Sequence, residues 1–476
     1  MLSRVVPVVV FSRLLAPLRA KKCKNCLFIR AKKCNFVANI RAKKCIVIMK
    51  RLLFNDLVKW KNNTSRKPLI LNGARQVGKT WLLQNFGREE YKSVAYINCE
   101  KAENIEFVFT DFDTRRMIMA LSAMSGVDIR PGETLIIIDE IQEYPRALTA
   151  LKYFCEDAPE YHIAVAGSLL GIMLHKGISF PVGKVDMLQL YPMDFEEFLL
   201  AMGKEQLVQL LHSGDWKLID ALSLMYMDFL RQYYYVGGMP AAVKAYSEDA
   251  GLQQVRNIQN QILFDYSHDF SKHPDSREVA RINLVWNNIP RQLAKENKKF
   301  QYSEVKKGGR ASEFELAIQW LMDMGLVYKV HRVTEPHLPL RFYSEQNVFK
   351  LFMLDVGLLG AMMDVQAADI MVGNNIFVEY KGAFAEEFVL SQFVSRGIQM
   401  YYYSTNDSRV EIDFIAQISG RICPMEVKAE ENVRSKSLRT FIEKHPDLKG
   451  VRFSMKPHID QGWMENIPLY ALAALM

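Results

Sequence analysis

Short continuous apolar runs recur along the first part of the chain, each about the length of one buried strand. They lie at residues 69–71, 134–138 and 163–166, and the mixed segment 185–190 is predicted to form a further strand. A run without polar alternation is typical of a central strand in a parallel sheet, because helices cover both faces of such a sheet. A helix-like segment at 81–86 follows the first run. The pattern predicts an α/β domain built on a parallel sheet.

Beyond residue 205 the apolar positions change to helical spacing. Leu, Met and Tyr recur with this spacing to about residue 272, and the sequence Gly237-Gly-Met-Pro240 interrupts them. We interpret this part as a small helical lid with a sharp turn. The consecutive tyrosines Tyr233, Tyr234 and Tyr235 fit a place in the core better than a stacking platform.

Residues 275–345 have the pattern of a winged helix. A helical stretch near 284–294 precedes a polar segment at 298–310, an apolar-faced helix at 314–324 and a strand pair near 326–333 and 340–343. In such a unit the first helix braces the second, which can enter a major groove. A local basic cluster could contact phosphates or form a solvated loop: Lys298, Lys299, Lys306, Lys307 and Arg310. The second helix is acidic and apolar, which argues against base reading.

A phosphate-binding motif stands between the first apolar run and the helix-like segment. Its spacing, Gly-x-x-x-x-Gly-Lys-Thr, is complete at Gly73, Ala74, Arg75, Gln76, Val77, Gly78, Lys79 and Thr80. The two glycines let the backbone curl so that its N–H groups face phosphate oxygens, and the following helix presents its positive end. We expect Lys79 to reach the β- and γ-phosphates of ATP, and Thr80 to bind Mg²⁺.

Further polar residues follow later strands. Asp139 and Glu140 come directly after the run at 134–138, and Ser168 follows the run at 163–166. Ligands of open α/β sheets bind outside the carboxyl ends of the strands. We expect Asp139 to hold Mg²⁺ and Glu140 to act as general base toward water. Ser168 would sense the γ-phosphate or orient water, or it is a turn residue. These motifs predict a P-loop ATPase of the additional-strand type.

The chain resembles a family of prokaryotic AAA-type ATPases in which a winged-helix segment and a C-terminal domain of unknown function follow the P-loop domain. The resemblance covers most of residues 49–476. The motifs that carry it are Leu71-Asn-Gly-Ala-Arg-Gln-Val-Gly-Lys-Thr80, Ile138-Asp-Glu-Ile-Gln142, Ala166-Gly-Ser168, Leu190-Tyr-Pro-Met-Asp-Phe-Glu-Glu-Phe198 and Tyr235-Val-Gly-Gly-Met-Pro240. The family commonly has Gly-Arg where this chain has Gly183-Lys184. Lysine keeps the positive charge but lacks the forked guanidinium group, which can donate two hydrogen bonds to one anion. The identity of any arginine finger, an arginine that stabilises charge during hydrolysis, therefore stays open.

A second group of candidate residues lies near the C-terminus. It consists of Glu386 in a predicted helix, Asp413 in a predicted strand, and Glu426 and Lys428 in the strand after it. Strand alternation puts Glu426 and Lys428 on one face, and a hairpin can bring Asp413 alongside. The pattern resembles the PD-(D/E)xK nucleases, in which carboxylates bind Mg²⁺ and lysine activates water; Glu386 would complete the metal shell. The alternatives are a domain that binds without cleaving and a network of ion pairs on the surface.

Charge and cysteine content set the first 48 residues apart. They contain twelve Lys and Arg, no Asp or Glu, four of the seven cysteines, and three copies of Arg-Ala-Lys-Lys-Cys. Taking twelve positive charges from the net charge of +8 leaves −4, so bulk charge gives no argument for nucleic-acid binding. We interpret 1–48 as a leader outside the fold, either translated from upstream of a true start at Met49 or a targeting or nucleic-acid-binding arm. The remaining cysteines are scattered, which favours a reducing, cytoplasmic location.

The sequence therefore predicts a leader (1–48), a P-loop ATPase core (49–204), a helical lid (205–272), a winged-helix segment (273–348) and a nuclease-like domain (349–476). The first hypothesis is an ATPase that acts on or near nucleic acid through its last two parts. The alternative is a nucleotide-regulated switch or scaffold for a protein partner, with an inert C-terminal domain. ATP, DNA, a protein and further copies of the chain are the partners considered. No apolar run reaches the ~20 residues of a membrane span.

Overall fold

In the described residues, the first sheet contains five strands, and each neighbouring pair is parallel. They are β1 (Leu69–Asn72), β2 (Ser93–Asn98), β3 (Thr134–Asp139), β4 (His162–Gly167) and β5 (Asp186–Gln189). The order β2-β3-β4-β1-β5 places β4 between the strand before the P-loop and the strand that ends in Asp139. This inserted strand agrees with the additional-strand prediction. Strands β3 and β4 are buried at every position, as the continuous apolar runs predict.

The computed structural model describes residues 49–168, 180–272, 275–295, 298–372, 378–405, 407, 409–429 and 435–475, with the backbone alone at 372 and 378–380. The predicted leader, 1–48, lies outside the described residues. In the part of the chain that is described, none of the helices has the length and apolar character that crossing a membrane requires.

Helices lie on both faces of this sheet and have ends that local chemistry explains. They are α1 (Phe54–Asn62), α2 (Lys79–Glu90), α3 (Ile105–Val108), α4 (Thr114–Ser125) and α5 (Pro145–Asp157). The Asp113 carboxylate accepts hydrogen bonds from the N–H groups of Arg115 and Arg116 at the start of α4. Pro145 opens α5, where its missing N–H is harmless. Because α2 packs against β2 and β3, the P-loop runs between a buried strand and a packed helix.

The region predicted as a lid is largely helical. It follows α6 (Phe195–Ala201) and contains α7 (Glu205–Ser213), α8 (Trp216–Ala221), α9 (Ser223–Val236), α10 (Pro240–Ser247) and α11 (Leu252–Phe270). A capping box starts α6, because the side chains of Asp194 and Glu197 each accept a hydrogen bond from the other's backbone N–H. Tyr233, Tyr234 and Tyr235 on α9 are buried, in agreement with their interpretation as core residues.

The next region contains three helices and a hairpin. These are α12 (Ser276–Leu293), α13 (Tyr302–Val305) and α14 (Ala311–Asp323), then the antiparallel strands β6 (Val327–Val333) and β7 (Ser344–Met353). The strand expected at 340–343 is wrong, because Leu340–Tyr343 forms a 3₁₀ turn. The connection contains Pro336 and Pro339, which have no N–H to donate to a strand ladder, and β7 begins only at Ser344.

The β6–β7 hairpin belongs to a second, mixed sheet with β8 (Met400–Ser404), β9 (Glu411–Ile418), β10 (Arg421–Val427), β11 (Gly450–Ser454), β12 (Ile459–Asp460) and β13 (Met464–Pro468). The order of its described strands is β12-β13-β11-β10-β9-β8-β6-β7. Strand β6 pairs in parallel with β8, and His331 lies opposite Tyr401. The predicted boundary between 348 and 349 therefore falls inside β7, in a sheet that both predicted parts share.

Helices α15 (Val356–Met362), α16 (Ala367–Val372), α17 (Val378–Ser395) and α18 (Lys436–Lys444) accompany the second sheet, and a 3₁₀ helix, Leu469–Leu475, follows it. We call β7 to Leu475 the C-terminal body. One continuous apolar core includes Leu71 of β1, Tyr233 of α9 and Met425 of β10. Within it, the Phe195, Tyr233 and Phe388 rings form T-shaped pairs with centroids 5.7–5.9 Å apart. The middle helices thus connect the two sheets through close packing.

Candidate nucleotide-binding site

The loop between β1 and α2 has a backbone that its glycines permit. Gly73 has a φ of 154°, and a Cβ atom there would lie 2.3 Å from the carbonyl oxygen of Leu190. Gly78 has a φ of 95° and directly precedes α2, which begins at Lys79. A tight loop that ends at the positive end of a helix is an arrangement that binds phosphates.

Lys79 is buried at the centre of this loop, with 6% of its surface exposed. Its ammonium group donates hydrogen bonds to the carbonyl oxygens of Gly73 and Ala74, both at 2.8 Å, and to the Ser168 hydroxyl at 2.9 Å. Burial lowers the pKa of Lys79 to about 8, although the nearby carboxylate of Glu140 acts against this shift. The three N–H donors contact oxygens that phosphate oxygens could replace.

Asp139 lies at the end of β3, beside the first turn of α2. Its Oδ2 atom accepts hydrogen bonds from the hydroxyl groups of Thr80 and Tyr96, each at 2.8 Å. Tyr96 lies on β2, in a segment without a recognisable motif. The parallel register pairs Asn98 of β2 with Asp139. The polar residues near the end of β2, which include Tyr96, are therefore the sequence feature that could have indicated a contact with Asp139.

Glu140 has a backbone conformation that is rare outside glycine. Its φ is 52°, in the left-handed region, which typically costs about 1–3 kcal/mol and concentrates at functional sites. Its Oε2 atom accepts a hydrogen bond from the side-chain amide of Gln142. The charge of Glu140 acts to raise the pKa of Lys79, against the effect of burial.

The tip of the loop is attached to α11. The Arg75 guanidinium lies 2.7 Å from Asp269 Oδ1, the Gln76 amide donates to Asp265 Oδ2 at 2.7 Å, and the Tyr266 hydroxyl donates to the Arg75 carbonyl at 2.8 Å. The partners are 189–194 residues apart in the chain. Local sequence patterns carry no signal for such contacts.

Arg51 holds the end of the loop that is nearer to α2. Its guanidinium donates to the carbonyl oxygens of Val77 at 2.8 Å and Tyr191 at 2.6 Å, and its Nε lies 3.1 Å from Glu197 Oε1. Both charged side chains are buried. Burial raises the pKa of Glu197, and the positive charge of Arg51 acts against this shift. Arg51 therefore connects the N-terminal segment, the P-loop and α6.

Lys184 occupies the position at which the resembled family commonly has arginine. Its ammonium group lies 2.8 Å from Glu156 Oε1 at the end of α5, and the side chain is 40% exposed. This contact raises the pKa of Lys184. Lys184 thus forms a surface ion pair on the first domain.

The site fits Mg²⁺ bound together with a nucleotide. Such an ion takes one or two protein oxygens and completes its shell with phosphate and water. The Thr80 hydroxyl and the Asp139 carboxylate supply two adjacent oxygens. Among the described residues, no three His, Cys, Asp or Glu side chains are placed to hold a metal ion by themselves.

The C-terminal candidate residues lie in one region of the second sheet. The antiparallel register of β9 and β10 places Asp413 near Glu426, and the Val427 N–H donates to Asp413 Oδ2 at 2.8 Å. Lys428 Nζ lies 2.8 Å from Glu426 Oε1. Burial, and then the charge of Glu386 on α17, raise the pKa of Asp413 to about 7. The four side chains are therefore close enough to influence one another.

The basic cluster that could either contact phosphates or form a solvated loop is partly paired within the chain. Lys298 contacts Glu386, and Lys306 Nζ lies 2.7 Å from Glu313 Oε1. On α14, the candidate second helix of a winged helix, the side chain of Leu316 is 70% exposed. The surface of this helix is apolar and acidic, as its sequence predicts.

Three family models match successive parts of the chain. A model described as an AAA domain matches residues 65–199, and two models described as domains of unknown function, DUF8612 and DUF4143, match residues 227–369 and 381–470. The first match spans the whole parallel sheet and the P-loop. This part of the chain is therefore an AAA-type P-loop domain with an α/β fold. The search of curated proteins found no match.

Similar solved structures include three proteins that cover much of the chain at low identity. Orc1 of Aeropyrum pernix in complex with DNA is 14% identical over 68% of this chain and 95% of its own, with a TM-score of 0.27. AMPPCP-bound DnaA from Aquifex aeolicus is 13% identical over 57% and 88%, with a TM-score of 0.26. Cdc6p from Pyrobaculum aerophilum is 12% identical over 70% and 97%, with a TM-score of 0.23. Similarity this low does not transfer function to this chain.

Proposed function

We propose that the chain is a Mg²⁺-dependent ATPase. The observation that supports this proposal is the meeting of Lys79, Thr80, Asp139 and Ser168 where β1, β3 and β4 end. An ammonium group, two hydroxyl groups and a carboxylate at the start of a helix are what a P-loop enzyme uses to position a triphosphate and its metal ion.

In the proposed reaction, Lys79 exchanges two loop carbonyl oxygens for β- and γ-phosphate oxygens. Thr80 and Asp139 would hold Mg²⁺, which neutralises phosphate charge when it is bound. Tyr96 keeps the Asp139 carboxylate in place through its hydrogen bond to Oδ2. These residues bind and orient the phosphates before any proton moves.

Glu140 would accept the proton of the attacking water. In the described structure its Oε2 atom accepts a hydrogen bond from the Gln142 amide, which orients the carboxylate and leaves acceptor capacity for water. Ser168, which contacts Lys79 at the tip of β4, would orient the same water or the γ-phosphate.

The role of Glu140 is tested by separating binding from turnover. Glu140→Gln should bind ATP with wild-type affinity, while kcat falls about 100-fold or more because the base is lost. Glu143→Gln is a matched control, since Glu143 is exposed three residues further along the chain. Wild-type turnover in Glu140→Gln would remove this residue from the proposed role.

We infer that hydrolysis serves a switch that acts on a protein partner. Lys298 and Lys306, two basic residues that could contact phosphates, are paired with Glu386 and Glu313, and Leu316 is exposed on α14. An apolar and acidic helix is a poor ligand for DNA, whose affinity comes largely from phosphate contacts. Action on nucleic acid, supported by the exposed Lys307 and Arg310 of the same segment, is the alternative.

The two proposed functions, a switch for a protein partner and action on nucleic acid, predict different results. The test incubates the protein with ATP, Mg²⁺ or Mn²⁺, and plasmid or single-stranded DNA. A protein switch predicts ATP turnover that DNA does not change, and no cutting. Action on nucleic acid predicts DNA-stimulated turnover, or metal-dependent nicking that disappears in Asp413→Ala.

A further inference from the structure

A second positive side chain, Arg75, belongs to the loop between β1 and α2. The Lys79 ammonium group donates a hydrogen bond to the carbonyl oxygen of Ala74 at 2.8 Å, and the same peptide group continues directly into Arg75. The backbone of Arg75 therefore lies beside the ammonium group that we assign to the phosphates. Burial lowers the pKa of Lys79, and the positive charge of Arg75 adds to this effect. Two cations in one loop suit a ligand that carries several negative charges.

Helix α11 holds Arg75 by its side chain and by its backbone. The guanidinium Nη1 atom lies 2.7 Å from Oδ1 of Asp269, whose side chain is 3% exposed. Three residues earlier in the helix, the Tyr266 hydroxyl donates to the Arg75 carbonyl oxygen at 2.8 Å. The position of the guanidinium is therefore fixed before a nucleotide binds. A charge that is already in place stabilises a transition state without a cost of reorganisation during the reaction.

The guanidinium group of Arg75 has donors left for a further anion. Within the part of the chain that the structure describes, its hydrogen bond to Asp269 uses Nη1. A guanidinium carries five N–H donors in a rigid fork, so those on Nε and Nη2 remain available. Lys272 Nζ lies 3.3 Å from the same Asp269 oxygen. Because Asp269 has this second counter-charge, Arg75 can share its charge with phosphate without leaving a buried carboxylate unpaired.

Lys184, at the position where the resembled family commonly has arginine, lies at the opposite edge of the first sheet. Strand β5 pairs in parallel with β1, and Asp186 lies opposite Leu69 at the start of both strands. Lys184 precedes this start, whereas the P-loop follows Asn72 at the other end of β1. Its ammonium group also pairs with Glu156. Within one chain, Lys184 is therefore badly placed to reach the phosphates, and Arg75 is well placed.

We propose that Arg75 is the arginine that stabilises charge during hydrolysis, supplied by the P-loop of the same chain, and that Asp269 is its positioning residue. This inference rests on the proposed ATPase function. In the reaction, the water oxygen bonds to the γ-phosphorus while the bond from that phosphorus to the β–γ bridging oxygen breaks. The electron pair of the broken bond stays on ADP, and Glu140 takes a proton from the water. The free N–H groups of Arg75 donate to the oxygens on which negative charge develops.

The test compares binding and turnover in the full chain. Arg75→Met should lower kcat at least about 100-fold and weaken MgATP binding less than about tenfold, because the arginine acts mainly in the transition state. It should also lose tight binding of MgADP with aluminium fluoride, which mimics the phosphoryl group in transfer. Arg75→Lys keeps the charge without the fork and should recover only part of kcat. Arg88→Met, a change at an exposed arginine of α2, should behave as the wild type.

The role of Asp269 is tested by combining two changes. Asp269→Asn should lower kcat less than Arg75→Met does, and adding it to Arg75→Met should lower kcat no further, because Asp269 acts through Arg75. If Arg75→Met does not fold, Arg75→Lys provides the same test through its weaker complex with MgADP and aluminium fluoride.

Two results would overturn the role of Arg75, and they are distinguishable. Wild-type kcat in a folded Arg75 variant, in a chain that hydrolyses ATP, would overturn this inference alone. A wild-type chain that binds MgATP without hydrolysing it would overturn the proposed ATPase and, with it, the role of Arg75.

Discussion

The ammonium group of Lys79 donates its three hydrogen bonds to oxygens of the protein itself. Two come from the loop carbonyls of Gly73 and Ala74 and one from the Ser168 hydroxyl. A triphosphate must therefore displace existing hydrogen bonds, and its advantage is electrostatic, since charge-assisted bonds to phosphate are stronger than bonds to carbonyl groups. Binding should consequently depend on the charge of Lys79.

The affinity for MgATP is predicted to fall above about pH 8. Burial lowers the pKa of Lys79 in the free protein to about 8, and bound phosphate favours the charged form, so the pKa in the complex is higher. Affinity is then greatest below pH 8 and decreases above it, by up to about tenfold per pH unit. Calorimetric titrations at pH 7, 8 and 9 measure this slope.

Lys79→Arg serves as the control, because a guanidinium does not titrate in this range. Any residual binding by this variant should show no such decrease. A wild-type affinity that stays constant from pH 7 to 9 would contradict the assignment of Lys79 to the phosphates.

Single residues differ in how well sequence can predict them. The proximity of Lys79, Thr80 and Asp139 could be predicted because the motif fixes their spacing and the strand ends fix their place. Arg51 and Tyr96 could not, because their roles come from contacts with Glu197 and Asp139 that the fold creates. Neither contact leaves a local pattern in the chain.

Among the elements, α11 contacts both the P-loop and the C-terminal body. Near its end, Asp269 pairs with Arg75 of the loop. Earlier in the same helix, Arg256 donates to the carbonyl of Val365, in the C-terminal body, at 2.8 Å. A rigid helix that contacts both parts can couple the conformation of the P-loop to the position of the C-terminal body.

Asp269→Asn is predicted to weaken MgATP binding by about three- to tenfold. The change removes the negative charge that holds Arg75, so the P-loop is less ordered before binding. Ordering the loop then offsets part of the binding free energy. Calorimetry measures the affinity, and hydrogen exchange should become faster in residues 73–78. Asp228→Asn, which alters an exposed ion pair with Arg231, is expected to change neither. Wild-type affinity in Asp269→Asn would exclude a contribution of α11 to binding.

The segment before α1 is predicted to stabilise the fold through Arg51. Arg51→Met leaves Glu197 buried without its counter-charge, which should lower the free energy of unfolding by about 3–5 kcal/mol. Urea denaturation measures this change, and adding Glu197→Gln should recover part of the loss. Lys50→Met removes only an exposed contact with Glu205 and should change stability by less than about 0.5 kcal/mol. A loss below 1 kcal/mol in Arg51→Met would contradict this role.

Over the whole molecule, the first sheet was more predictable than the second. Its buried strands are continuous apolar runs, which sequence reveals directly. The second sheet depends on the parallel pairing of β6 with β8, for instance His331 opposite Tyr401. Such pairing depends on register and distant contacts, so a predicted boundary falls inside β7. The lysine contacts of the C-terminal carboxylates are equally non-local.

The shared apolar core implies that the two sheets and the helices between them respond together to a bound nucleotide. That expectation, like the proposed ATPase, depends on a triphosphate that binds at residues 73–80. Titration of MgATP into the full chain, followed by isothermal calorimetry, tests this most directly. The wild type should show saturable heat for one site, and Lys79→Ala should lose it while keeping the wild-type circular dichroism spectrum. Absence of binding heat in the wild type, or equal affinity in Lys79→Ala, would contradict the account.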